Sequence, residues 1–170
     1  LGPNYIGLIN THHDLNATFT RNYPLKGRIA ITSQSGAICT SILDWAKRYK
    51  MGFSKFISVG NKVDIDEADL LGYLGDDGET GVIGMYIEGT DRGKEFLRMA
   101  KQTTKNKPIL ALTSGRTSSG AKAASSHTGA LSGSDAVYET ALEQTGVGRA
   151  KTIDELFDLF RHDSYPPDHA

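Results

Sequence analysis

One histidine stands in a run of small, hydroxylated and glycine residues, Ser125-Ser126-His127-Thr128-Gly129-Ala130-Leu131-Ser132-Gly133-Ser134. No apolar periodicity surrounds it, so the pattern does not call for a packed core imidazole. An imidazole on a glycine-hinged backbone can take up a group in one place and deliver it in another. His127 is therefore read as a candidate nucleophile and phosphoryl carrier, against the plain alternative of a solvated loop side chain. The segment from Thr113 to Ser134 is longer than most connections, and such loops are usually functional or disordered. Gly115, Gly120, Gly129 and Gly133 supply hinges, and Arg116 and Lys122 supply positive charge.

Other candidates also fall just after apolar runs. Ser33-Gln34-Ser35-Gly36 leads into a helical pattern. Free amides, small side chains and the positive end of a helix dipole make a phosphate site, and the same residues also read as a plain N-cap at Ser35. No Gly-Lys-Ser/Thr follows, so this is not a Walker loop. Ser33 stands where the first glycine of a nucleophile elbow belongs, which excludes that motif too. In Gly60-Asn61-Lys62-Val63-Asp64-Ile65-Asp66, Asn61 and Lys62 could bind an anion, or the stretch is a polar loop ending in an Asp cap. In Tyr86-Ile87-Glu88-Gly89-Thr90, Glu88 could accept a proton from an imidazole and orient it, or be a solvated acid. His12-His13 lacks the companions a metal site needs, and no metal is expected. Trp45 has no interleaved basic residues, so it reads as core or interface rather than a stacking platform for nucleic acid. The Asn16-Ala17-Thr18 sequon carries little weight.

The elements that must position these residues alternate. Arg28 to Thr32, Lys55 to Val59, Val82 to Ile87, Pro108 to Leu112 and Val147 to Ala150 read as strands. Between them, apolar residues recur at helical spacing: Ile38, Ile42, Trp45, Ala46 and Tyr49; Leu70, Leu71 and Leu74 after Asp66; Phe96, Leu97 and Ala100 after Asp91. Val137, Ala141 and Leu142 follow a cap at Ser134 or Asp135. Leu156, Phe157 and Phe160 follow a Thr152–Glu155 capping box. Five strand–helix alternations predict an α/β fold, a five-stranded parallel sheet with helices on both faces and flavodoxin-like order. Its ligand site is expected at the carboxyl ends of the strands. The first 25 residues read as irregular.

Composition narrows the class. The chain has 170 residues, 19 Lys plus Arg against 20 Asp plus Glu, and a net charge of −1. That balance argues against nucleic acid or an anionic membrane as partner. No apolar run approaches the roughly 18–20 residues of a membrane span. The single cysteine, Cys39, excludes an intrachain disulfide and fits a reducing cytoplasm. The start at Leu1 and the linker-like end at Tyr165-Pro166-Pro167 suggest a domain cut from something larger, with 1–162 as the domain and 163–170 as linker or tail.

Taken together, these stretches resemble a family. Gly2-Pro3-Asn4…Gly7…Ile9-Asn10, Ile31-Thr32-Ser33-Gln34-Ser35-Gly36-Ala37, Ser58-Val59-Gly60-Asn61-Lys62, Tyr86-Ile87-Glu88-Gly89, Gly115-Arg116-Thr117 and Ser126-His127-Thr128-Gly129-Ala130-Leu131 fall in its order. The chain resembles the second, flavodoxin-like domain of NDP-forming acyl-CoA synthetases, relatives of the succinyl-CoA synthetase α subunit. The resemblance implies an acid–thiol ligase working through an acyl phosphate and a phosphohistidine, with the acyl group and the choice of ADP or GDP open. It implies that His127 is phosphorylated, that Glu88 orients it, and that Ser35, Gly36 and Gln34 hold the phosphoryl group. Ser126, Thr128, Gly129 and Arg116 would support the loop. CoA, nucleotide and Mg²⁺ belong to the full enzyme, with no cofactor expected in this domain. CoA-binding and ATP-grasp domains or subunits would be its partners, phosphate and acyl phosphate its ligands, and a homo-oligomer stays open. An excised domain is expected to be inactive alone. Tyr5, Thr113 and Ser132 depart from the residues common in the family. Two other readings are a regulatory module of a protein acetyltransferase and a flavin-binding flavodoxin.

Overall fold

A computed structural model describes residues 2–114 and 135–164. Seven strands appear in chain order: β1 (Gly7–Asn10), β2 (Leu15–Thr18), β3 (Leu25–Ser33), β4 (Gly52–Ser58), β5 (Val82–Ile87), β6 (Ile109–Thr113) and β7 (Gly148–Ala150). The helices are α1 (Gly36–Tyr49), α2 (Glu67–Asp76), α3 (Gly93–Thr103), α4 (Asp135–Thr145) and α5 (Ile153–Ser164). One sheet holds all the strands in the order β2-β1-β4-β3-β5-β6-β7.

The five expected strands are present, parallel, and in the flavodoxin-like order β4-β3-β5-β6-β7. The expected five-stranded, all-parallel sheet is nonetheless corrected to seven strands and mixed pairing. β1 runs antiparallel to β4, and β2 antiparallel to β1. A short 3-10 turn, Thr11–His13, reverses the chain between them. Asn10 caps that turn by accepting from His12 N at 3.1 Å, and Asp14 closes it with a left-handed φ of 50°. This hairpin escaped the sequence pattern because β2 is largely exposed and polar, without the apolar run that marks a buried strand.

Alternation along the central strands feeds two cores. Ile29 and Ile31 of β3 enter a core with Ile42, Leu43 and Ala46 of α1 and with Leu156, Phe157 and Phe160 of α5. Ala30 of β3 points to the other face, with Ile83, Met85 and Ile87 of β5. There α2 contributes Leu71 and Leu74, α3 Phe96 and Ala100, and α4 Leu142. Helices therefore cover both faces, as expected. Trp45 is packed, its ring 3.8 Å from that of Phe157 at 9°.

Local signals set most helix starts. Asp66 and Asp69 form a complete capping box at α2. At α5 half of the expected box forms: Thr152 Oγ1 accepts from Glu155 N at 3.1 Å, while the Glu155 carboxylate takes Lys151 N at 2.7 Å. α3 begins with Arg92 as its cap, one residue beyond the expected Asp91, and has no side-chain cap bond. α5 continues through Ser164, two residues past the expected end of the domain.

Candidate functional site

Loops after β3, β4 and β5 meet at the carboxyl ends of the parallel strands. After β3 the chain turns over Ser33-Gln34-Ser35. The Ser33 hydroxyl accepts from Ser35 N at 3.1 Å and donates to Ser35 O at 3.0 Å. Ser35 is extended, with φ −102° and ψ 120°, and its Oγ accepts from Ile38 N at 3.4 Å, which makes it the N-cap of α1. The first helical bond runs from Cys39 N to Ser35 O, so the Gly36 and Ala37 amides precede it. No acidic residue of α1 lies in that first turn to offset the positive end of the dipole. A Cβ on Gly36 would find its nearest described atoms at ordinary distances, Ile6 Cγ1 at 3.5 Å and Asn4 O at 3.6 Å. Packing within the described residues therefore does not demand glycine at this position.

Gln34 makes contacts within the protein. Its Oε1 accepts from the backbone amides of Glu88 at 2.7 Å and Gly89 at 3.0 Å. Its Nε2 donates to Gly89 O at 2.8 Å and to a carboxylate oxygen of Glu67. An amide has two donors and two acceptor sites, and all four are used within the protein. The side chain thus braces the loops after β3, β4 and β5. Backbone bonds extend the brace: Gln34 N donates to Tyr86 O at 3.2 Å, and Val59 N donates to Ser33 O at 2.9 Å.

Glu88 sits just past β5 and is half-buried. Burial, reinforced by the Glu88 charge, pushes the Tyr86 hydroxyl up to about 12, so Tyr86 stays protonated at neutral pH. Glu67, at the first position of α2, is only 2% exposed. Lys62 reaches it with Nζ–Oε1 at 3.3 Å and also donates to Gly89 O at 2.8 Å. Asn61 accepts from Asn4 Nδ2 at 3.2 Å, and its amide donates to Pro3 O at 2.9 Å. Of the two readings of the Asn61–Lys62 loop, these internal contacts match the structural one.

Gly60 shapes the same loop at φ +61°, and a Cβ there would lie 2.1 Å from Pro3 O. Gly60→Ala is expected to lose about 2 kcal/mol, from left-handed strain plus overpacking. A urea midpoint unchanged from the parent would contradict this.

Other candidates fall away from chemistry. Burial pushes the Cys39 thiol up to about 11, which suits a packed side chain and not a nucleophile. His12 places Nε2 3.0 Å from Gly27 O and Nδ1 3.5 Å from Glu79. Among the described residues no group of three His, Cys, Asp or Glu side chains could hold a metal. Also among them, no helix is long and apolar enough to cross a membrane.

His127, Ser126, Thr128, Gly129 and Arg116 lie outside the described residues. The residues flanking them are described. Thr113, at the end of β6, accepts from Arg149 Nη2 at 2.6 Å and Nε at 3.2 Å. The same guanidinium pairs with Asp135 and Glu139 of α4. Arg149, on β7, thereby ties Thr113, at the end of β6, to Asp135, at the start of α4.

A profile of the succinyl-CoA ligase-like flavodoxin domain matches residues 26–162. The chain belongs to this family. An ADP-forming acetate–CoA ligase of Methanocaldococcus jannaschii is 52% identical over 167 residues, covering 98% of this chain and 24% of that protein. The alpha subunit of the ADP-forming acetate–CoA ligase II of Pyrococcus furiosus is 48% identical over 166 residues, covering 98% of this chain and 36% of that subunit. Among solved structures, acetyl-coenzyme A synthetase 1 of Ca. Korarchaeum cryptofilum, in complex with phosphate and ADP, superposes with a TM-score of 0.93 at 41% identity. That match covers 98% of this chain and 36% of the other. The chain thus spans a quarter to a third of the length of these relatives, which are larger ligases or ligase subunits.

Within this succinyl-CoA ligase-like domain, sequence reasoning missed two residues of the site. Glu67 reads as a first-turn acid behind the Asp66 cap, and no local pattern shows that it is buried. Arg149 sits on a three-residue strand too short to show a face. An arginine inside an apolar strand between two acid-rich helices was the available signal.

Proposed function

We propose that this domain carries a phosphoryl group on His127 within an ADP-forming acyl-CoA ligase. The observation that carries the reading is the Gln34 bridge. Gln34 directly precedes the cap of α1, and its amide holds the backbone of Glu88. The acid that would face an imidazole and the helix start that would face a phosphoryl group are thereby one rigid unit. The acid-free first turn of α1 supports the same reading.

The chemistry runs in three balanced steps. Phosphate displaces CoA from an acyl-CoA, leaving an acyl phosphate and free CoA. A neutral imidazole nitrogen of His127 attacks phosphorus, the P–O bond to the acyl group breaks, and the carboxylate leaves with the electron pair. A nucleoside diphosphate then takes the phosphoryl group and regenerates the histidine. Glu88 would accept the hydrogen bond of the other ring nitrogen and stabilise the charge that builds on the ring. Amides at Gly36 and Ala37, fixed before the reaction starts, would stabilise the phosphoryl oxygens. Magnesium would supply charge neutralisation at the nucleotide phosphates. It would accompany the nucleotide on other parts of the ligase, as would CoA. The relatives named above are CoA ligases and synthetases, so they favour this reading over a regulatory module.

The test is labelling of the complete ligase with γ-labelled ATP. Acid-labile, base-stable phosphate on this domain is expected. Absence of label, or acid-stable label typical of serine, would overturn the proposal. The isolated 170-residue chain is expected to give no net acyl-CoA, and turnover by it would contradict the assignment of CoA and nucleotide to other parts.

A further inference from the structure

We propose that Glu67 is a positioning residue for Glu88, acting through Gln34 and Lys62. The proposal rests on the phosphohistidine reading and adds a residue that neither the motifs nor the relatives' names single out.

A buried carboxylate is stable only with hydrogen-bonded or charged partners. Among the described residues Glu67 has two, Gln34 Nε2 and Lys62 Nζ. Each partner also holds the same neighbouring turn. Gln34 takes the N–H groups of Glu88 and Gly89, while Lys62 and Gln34 Nε2 both donate to Gly89 O. The Gly89 peptide unit is therefore gripped at its donor and at its acceptor, and both grips lead back to one carboxylate.

Glu67 reinforces the way the Gln34 amide faces, which the Glu88 and Gly89 N–H groups and Gly89 O also set. An ionised carboxylate only accepts hydrogen bonds, so the amide must present its NH₂ group to it. The amide oxygen is then directed to the two backbone N–H groups. Without the carboxylate, one Nε2 hydrogen of Gln34 would lose its acceptor, and the brace would be held by the Glu88–Gly89 turn alone. Lys62 would lose its anchor in the same change. Glu67 itself is favoured at this place by the amino end of α2, whose cap is Asp66. Because Gln34 is joined to the Ser35 cap, the network fixes the distance between Glu88 and the amino end of α1. Displacement of a reacting group by about 1 Å can reduce a rate about 10²-fold.

Glu67→Ala and Glu67→Gln, made in the complete ligase, test the idea. In single-turnover labelling, Glu67→Ala is expected to slow phosphorylation about thirty-fold, with KM for ATP changed less than three-fold. Glu67→Gln keeps an acceptor for Gln34 and is expected to retain more of the rate. In a Glu88→Gln background, Glu67→Ala is expected to add less than three-fold, because it acts through Glu88. Equal losses in both backgrounds would overturn the proposal, as would no loss at all. Amide exchange in the 170-residue chain supplies a readout independent of activity. Glu67→Ala should speed exchange at Glu88 and Gly89 at least ten-fold, with Ile83 and Leu110 unchanged. Uniform acceleration, or none at Glu88 and Gly89, would reduce Glu67 to a structural residue. If His127→Ala kept the label, the phosphohistidine reading would fail while the exchange result still judged the brace.

Discussion

His127→Ala in the complete ligase is expected to abolish acid-labile phosphorylation, and Glu88→Gln to slow it by 10²-fold or more while the fold persists. The first follows from chemistry: no other side chain in the candidate segment is a strong nucleophile at neutral pH, so removing the imidazole removes the acceptor. The second follows from geometry. Gln34 holds Glu88 by its backbone amide at 2.7 Å, and a glutamine side chain at position 88 leaves that bond untouched. What Glu88→Gln removes is the negative charge that would stabilise a developing imidazolium, and positioned acid–base groups typically contribute 10²–10⁴-fold. Phosphate counted after base and acid treatment, set against melting temperature, separates chemistry from folding. Full labelling of His127→Ala would remove this residue as carrier. Parent-like rates in Glu88→Gln would remove the acid from the mechanism.

The frame that holds these residues was legible in the sequence, since each of the five parallel strands is an apolar run followed by a helical period. Ile29, Ile31 and Ile42 need only local pattern to be placed on a buried face. The amino-terminal hairpin was not legible, because β1 is only four residues long, with Ile9 in one core and Leu8 against the other, and β2 is largely exposed. The side chains that connect loops were the other blind spot. Gln34 sits 54 residues from Glu88, and residue type alone says that an amide will bond, not to what. A glutamine beside a phosphate-type helix start invites the ligand assignment, and its bonds to the Glu88–Gly89 turn and to Glu67 are visible only in the fold. For Lys62 the sequence offers an anion site or a polar loop, and its buried partner, Glu67, is visible only in the fold. Burial of a charge is a tertiary property, and no local spacing encodes it.

At the opposite end of the sheet, Lys55→Met is expected to destabilise the domain by about 3–5 kcal/mol, as removal of one member of a buried ion pair does. The Lys55 side chain is 3% exposed and donates to Asp77 at 2.7 Å and to Glu79 at 2.9 Å. Asp77 also accepts from the Thr80 hydroxyl, which in turn meets Ser54 Oγ at 2.8 Å, so loss of the ammonium strands a connected network. Burial pulls the Lys55 ammonium down, but the hydrogen bonds to Asp77 and Glu79 outweigh it and hold the group above its ordinary value. Burial likewise pushes the Asp77 carboxyl up, and its bonds to Lys55 and Thr80 bring it below the usual range. The Lys55 hydrogen bond lowers Glu79 as well. The signs then set the pH dependence. Acids lowered in the folded state contribute fully above their unfolded values near 4 and lose that contribution as pH falls through the folded values. The raised lysine contributes fully below its unfolded value near 10.4 and loses its contribution as pH rises through the folded one. The stability gap between parent and Lys55→Met should therefore be flat from about pH 6 to 9 and shrink below about pH 4. Urea unfolding, followed by the fluorescence of Trp45, the single tryptophan, measures it directly. Adding Asp77→Asn to Lys55→Met should recover part of the loss, because it removes the stranded charge. A gap that stayed constant down to pH 3, or no recovery in the double variant, would mean that packing of the lysine stem, and not its charge, holds this end of the sheet together.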